Sequence, residues 1–239
     1  MNRPKQKSPF YELMFNILIP TLILNYGTKY FGAKAAVPAL VVALLIPLSY
    51  TVLDFYQQKK INIFGVFGFF NILMTGTLAL LQAEGSVMVM KETLLPLTLG
   101  LIVLATSYTK KPLINALLLN PQIFRVDVLN ERLEEKNQQS NFKQHLKKSN
   151  WLFAGSFLLS AALNYFLAFY IFKPIDPTVV GDARSEILNQ QIAQMTSLSY
   201  AVILIPSFIF LAFVLWHLFH GIKKMTGLEM KELIKDQSK

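Results

Sequence analysis

Apolar positions along this chain fall into six long runs separated by polar segments. The runs cover roughly Phe10–Phe31, Ala35–Leu53, Ile61–Leu81, Thr93–Tyr108, Trp151–Phe172 and Leu198–Phe219. The hydrocarbon core of a bilayer is about 30 Å thick, and a helix of roughly 20 mostly apolar residues crosses it. Lipid offers main-chain N–H and C=O groups no partner, so each run is predicted to be a helix that satisfies its own backbone. The expected fold is an all-α integral membrane protein. It is a bundle of about six transmembrane helices forming one polytopic domain over residues 1–239.

The polar segments add two elements. The loop 109–150 between the fourth and fifth runs carries Ile123, Val126, Leu129, Leu133, Phe142 and Leu146 among charges, after an Asn120-Pro121 breaker. That spacing predicts an amphipathic cytoplasmic helix. Two roles are open to it: lying on the anionic inner leaflet through its apolar stripe and basic residues, or binding a partner. The segment Lys173–Met195 carries Pro174, Asp176, Pro177, Gly181, Asp182, Arg184 and Glu186. It is too polar for lipid and predicts a turn followed by a short surface helix.

Composition supports the pattern: 53% of residues are hydrophobic and 15% charged, whereas soluble domains run near a quarter charged. The net charge of +9 would point a soluble chain toward nucleic acid, but the positions of the cations assign it to topology instead. Arg3, Lys5, Lys7, Lys59, Lys60, eight basic residues between Lys110 and Lys148 and five after Gly221 fall on one side; Lys29, Lys34, Lys91, Lys173 and Arg184 fall on the other. The positive-inside rule then puts both termini in the cytoplasm, as expected of a bacterial inner-membrane protein. A rival for the first run is a secretory signal cleaved after Ala33-Lys34-Ala35, against which Glu12 and Asn16 make a poor apolar core.

Candidate chemistry is sparse. Cysteine is absent, and no phosphate loop, dinucleotide fingerprint or zinc-helix motif occurs. No cofactor is expected. His217 and His220, spaced i and i+3, could share a metal, but with Trp216 beside them they fit an interfacial aromatic belt. Ionisable groups at bilayer depth are costly and are kept for a reason. Glu12 and Asn16 stack one turn apart in the first run, as an interfacial anchor or a proton-carrying site. Lys91 and Glu92 precede Pro96 and form the strongest polar focus, either as a structural or snorkelling pair or on a solute pathway.

In the third run Gly65, Gly68, Asn71, Thr75 and Gly76 fall within an arc of about 140°. Ser160, Asn164 and Ala168 repeat every fourth residue in the fifth. Small residues let helices approach closely, and a polar one hydrogen-bonds across the contact, so both faces are expected to be packing faces. Prolines 20, 38, 47, 96 and 206 predict breaks or bends, which transporters exploit.

Dispersed residues resemble the bacterial intracellular septation protein A family and a related group of multi-span membrane proteins. They are Lys60-Ile61, Gly76-Thr77-Leu78, Lys91-Glu92-Thr93, Lys110-Lys111-Pro112-Leu113-Ile114, Trp151, Asn164 and Ala168-Phe169. The likeness runs from Ala35 to His220; this chain adds much of the stretch Asn120–Lys148 and a longer outer loop. The resemblance implies a non-enzymatic role in cell-envelope synthesis or division through contacts with other membrane proteins, with no catalytic residues to carry over. The competing expectation is a small-solute or ion transporter or channel whose pathway passes Glu12, Asn16, Lys91 and Glu92.

Overall fold

The structure is a computed structural model that describes residues 14, 18–31, 33–58, 63–109, 112–115 and 124–235. It is 85% helical, with no strand among the described residues, so the all-α class read from the apolar runs holds. Among the described residues the α-helices are α1 (Ile19–Phe31), α2 (Ala36–Gln58), α3 (Ile63–Leu80), α4 (Gly85–Thr106), α5 (Val126–Glu135), α6 (Gln139–Ile171), α7 (Gly181–Ser199), α8 (Ile205–Thr226) and α9 (Met230–Leu233). A π turn, Tyr200–Leu204, joins α7 to α8.

Among the described residues, three helices are long and apolar enough to cross a membrane: α4, α6 and the continuous helix Gly181–Thr226, of 22, 33 and 46 residues. At 1.5 Å per residue α6 extends about 50 Å, well beyond a hydrocarbon core of about 30 Å. Its polar first turns therefore stand outside the lipid.

Pro20 is the second residue of α1, and Pro38 is the third residue of α2, which follows the 3-10 turn Ala33–Ala35 directly. Pro47 and Pro96 lie inside α2 and α4. Pro206 opens α8 directly after the π turn; because it cannot donate to the carbonyl one turn earlier, the hydrogen-bond ladder changes register there.

The chain divides into two compact units. One holds the described residues up to Glu92 together with Asn164–Val202; the other holds those of Thr93–Leu163 and those from Ile203 onward. In the first, α7 packs against α1, α2 and α3. The short surface helix expected after Lys173 is thus corrected: the turn exists, with Val179 N–H bonded to the Asp176 carbonyl, but α7 is 19 residues long and buries Leu188, Asn189, Ile192, Ala193 and Met195. Asn189, 1% exposed, donates to the Ala36 carbonyl at 2.8 Å. Gln82, in the turn after α3, donates to the Gly181 carbonyl at 3.0 Å and to Ser185 Oγ at 2.9 Å. The ties are made by Asn189, the Ser185 hydroxyl and the Gly181 carbonyl, polar groups of the segment that face its own unit.

In the second unit the expected amphipathic helix is two elements. α5 ends at a turn in which Asn137 adopts φ +53, a left-handed conformation that asparagine tolerates. Gln138 N–H returns to the Leu133 carbonyl. The chain then restarts as α6, which continues without interruption through Trp151 into the fifth apolar run. The apolar stripe does not face outward: Leu129, Leu133, Phe142 and Leu146 pack with Ile114, Val214, Leu218, Ile222, Leu228 and Leu233 in one buried cluster. These side chains are therefore unavailable to a leaflet or a partner, and the stripe serves the unit's own core.

Asn150 closes this unit. It is fully buried, donates to the Val103 carbonyl at 2.8 Å and to Ser107 Oγ at 2.7 Å, and accepts from Ile114 N–H at 3.0 Å. One side chain thus satisfies the end of α4 and the turn that follows it. At the other edge Glu229 caps α9 reciprocally with Glu232. Hydrogen bonds from Lys223 and then Lys231 hold the Glu229 carboxyl below its ordinary range.

Leu133→Ala is expected to lower stability by about 2–5 kcal/mol, as for other buried leucines, while Glu131→Ala on the exposed face changes it little. Pulse proteolysis of the detergent-solubilised protein reads both. Equal stability for the two variants would place the stripe outside the core.

Candidate functional site

α4 begins at Gly85, so Lys91 and Glu92 lie within the helix rather than at its mouth. Their Cα positions differ by about 100° around the axis, and the long lysine stem folds back to bring Nζ 2.8 Å from Glu92 Oε1. The same ammonium donates to Thr75 Oγ1 on α3 at 2.6 Å. Thr75 in turn donates to the Asn71 carbonyl at 2.8 Å, so its single proton is committed and its lone pairs receive the lysine. The pair is unequally buried, with side-chain exposures of 3% for Lys91 and 18% for Glu92. Snorkelling to an interface is therefore not what Lys91 does.

The other expected site residues scatter. Glu12 and Asn16 lie outside the described residues. Asn71 is exposed and enters the cluster through its carbonyl. Gly76 is buried, and a Cβ there would collide with the Leu44 side chain of α2, as expected of a close-packing position. Gly65 and Gly68 lie on α3, their surroundings outside what is described. On α6, Ala168 is fully buried while Ser160 and Asn164 are half-buried.

A second polar constellation forms in the other unit. His217 stacks on His145, with ring centroids 4.7 Å apart, and its Nδ1 is 3.1 Å from Ser149 Oγ. His145 Nε2 lies 3.0 Å from the Leu218 carbonyl; a carbonyl only accepts, so Nε2 carries the proton. His220 instead stacks on the exposed Trp216 at 5.2 Å, the arrangement of an interfacial belt. His217 therefore pairs across elements and not with its i+3 neighbour. A serine beside an imidazole has the geometry of an activated nucleophile. Ser149, however, is fully buried, and among the described residues no carboxylate bonds to either ring. Gly221 makes the arrangement possible: a Cβ there would occupy the position of the His145 ring.

His145, Ser149, Asn150, Gln82 and Asn189 were not singled out from the sequence. Each acts across a gap of tens of residues or more, and none sits in a spacing that marks it. With three membrane-length helices among the described residues and a buried lysine paired with a carboxylate, the molecule is a membrane protein with a polar cluster where helices pack. No family model, curated protein or solved structure matches the chain.

Burial decides the outcome of two substitutions. Glu92→Gln leaves an ammonium without its counter-ion and is expected to cost about 3–5 kcal/mol, the usual result of breaking a buried pair; Lys91→Met leaves only a partly exposed carboxylate and costs less. Thermal unfolding in detergent gives the order, and the reverse order would mean that Glu92 is the more buried partner. Gly221→Ala is expected to cost about 1–3 kcal/mol by overpacking, most of it recovered in Gly221→Ala/His145→Ala. Additive losses in that double-mutant cycle would remove the steric link.

Proposed function

We propose that the chain is a non-enzymatic protein of a bacterial cytoplasmic membrane. It spans six times with both termini inside, and it supports cell-envelope synthesis or division through contacts with other membrane proteins. The observation that carries this reading is the second unit's self-contained core. With their leucines turned inward, α5 and the start of α6 leave Asn130, Glu131, Arg132, Glu134, Lys143 and Lys147 exposed, a charged surface outside the lipid of the kind that recognises other proteins by complementary charge. The positive-inside distribution and the resemblance to the septation protein A family support the same assignment.

In vivo crosslinking and co-purification from native membranes are expected to recover an envelope or division protein. Glu131→Lys/Glu134→Lys is expected to weaken that recovery without changing the protein's abundance. Absence of any such partner, together with unchanged cell shape and osmotic tolerance in a deletion strain, would overturn the reading. Reporter fusions in 126–148 facing away from the cytosol would overturn the topology.

One observation favours transport instead: the 2.8 Å contact of Lys91 with Glu92 lies on a membrane-length helix, where ionisable groups mark ion pathways. Solute flux by the purified protein in liposomes, abolished by Lys91→Met with folding retained, would establish that reading in place of the scaffold.

A further inference from the structure

After α9 the chain returns to the start of α5. Arg125 N–H donates to the Leu233 carbonyl at 2.8 Å, and Phe124 pairs with Ile234 in an antiparallel bridge. This double attachment brings Lys231 and Lys235 from the far end of the chain to Arg125, and together with Asp127 and Ile234 they line a cavity of about 660 Å³.

The charges in this cavity do not cancel. Asp127 is the one carboxylate in its lining. Arg125 and Lys235 are exposed and form no ion pair among the described residues. Lys231 lies 3.3 Å from Glu229, a carboxylate that also receives Lys223 at 3.1 Å, so Lys231 is only partly neutralised. Three cations thus converge on one acid around a cavity whose remaining wall is the apolar Ile234, and a main-chain bridge holds two of the contributing segments in register.

We propose that this cavity binds a phosphate-bearing ligand. A guanidinium presents a planar fork that matches two phosphate oxygens at once, and ammonium groups act beside it as point charges. The volume exceeds a single phosphate, which leaves room for an organic substituent against Ile234. A soluble phosphate ester and the headgroup of an anionic phospholipid share this chemistry. The inference stands apart from the scaffold reading, since neither requires the other.

The test uses the full chain in nanodiscs. In one arm, with neutral phosphatidylcholine, glycerophosphoglycerol is titrated and followed by 31P line broadening. In the other, phosphatidylglycerol is doped into the disc and the lipid retained by the protein is counted by native mass spectrometry. Saturable binding is expected, weakened about tenfold by Arg125→Gln or Lys235→Gln as charge-assisted contacts are lost, and strengthened by Asp127→Asn. Lys143→Gln and Lys224→Gln, which remove equal charge elsewhere on the unit, are expected to leave it within about twofold. Binding in the first arm alone assigns a soluble ester, in the second alone a lipid, and in both a headgroup that suffices by itself. No saturable binding in either arm, or equal weakening by the Lys143 and Lys224 variants, would overturn the site.

Discussion

A polar group withdrawn from water must find its partner inside the protein, and in hydrocarbon nothing relaxes that demand. Leaving one buried donor or acceptor unmade costs about 1–3 kcal/mol, a large share of a stability that totals about 5–15 kcal/mol. The side chains that organise this molecule are those that meet the requirement at helix ends and crossings. Asn150 serves the Val103 carbonyl, the Ser107 hydroxyl and the Ile114 amide together. Asn189 serves a carbonyl at the start of α2, and Gln82 fastens the turn after α3 to the beginning of α7. Apolar contacts fill the space around these joints, but the joints decide which ends meet.

The same constraint governs the buried lysine. An unpaired ammonium buried in this way would carry an uncompensated desolvation cost. Glu92 neutralises it, yet an adjacent residue on one helix supplies only one direction of contact, and the remaining demand is met across the gap by Thr75. Because the threonine proton is committed to the Asn71 carbonyl, the sequence of donors has one polarity, from Lys91 through Thr75 to the backbone of α3. A buried ion pair is weak evidence for stability, since attraction and desolvation nearly balance. What the cluster adds is register, because α3 and α4 must meet at the height of Thr75 for the ammonium to be satisfied.

The parts of the fold legible in the sequence are those set by local composition. The apolar runs of Ala35–Leu53, Ile61–Leu81, Thr93–Tyr108, Trp151–Phe172 and Leu198–Phe219 all fall largely on helices, because a stretch that cannot hydrogen-bond to lipid has no alternative. The pairing of Lys91 with Glu92 was legible for the same reason, as an ionisable doublet in an apolar setting. Its third member was not: Thr75 was read as a packing residue from its place on the glycine face of α3, and nothing in that spacing reveals a lysine on another helix. For the histidines the local signal covers one ring of the two. His220 stacks on the neighbouring Trp216, whereas His217 contacts His145, which depends on Gly221 leaving room for the second ring.

Several helices run past the apolar runs that mark them, and the direction of the excess is informative. Hydropathy marks where lipid begins, but stopping a helix strands four main-chain groups at that point, whereas continuing it into water strands none. α6 therefore runs back through polar residues to Gln139, and α8 is continuous with the polar α7 through a π turn placed where Pro206 withholds its amide. Once those stalks exist, their apolar positions can reach one another more readily than they can reach a leaflet. Phe142 and Leu146 project from the stalk of α6 at helical spacing. They meet Ile222 near the end of α8, and α5, freed by the left-handed turn at Asn137, folds its two leucines into the same cluster. An amphipathic stripe beside a membrane span is thus ambiguous until the length of the helix that carries it is known. In this chain the length of α6 is what turns the stripe from a lipid-facing surface into a core.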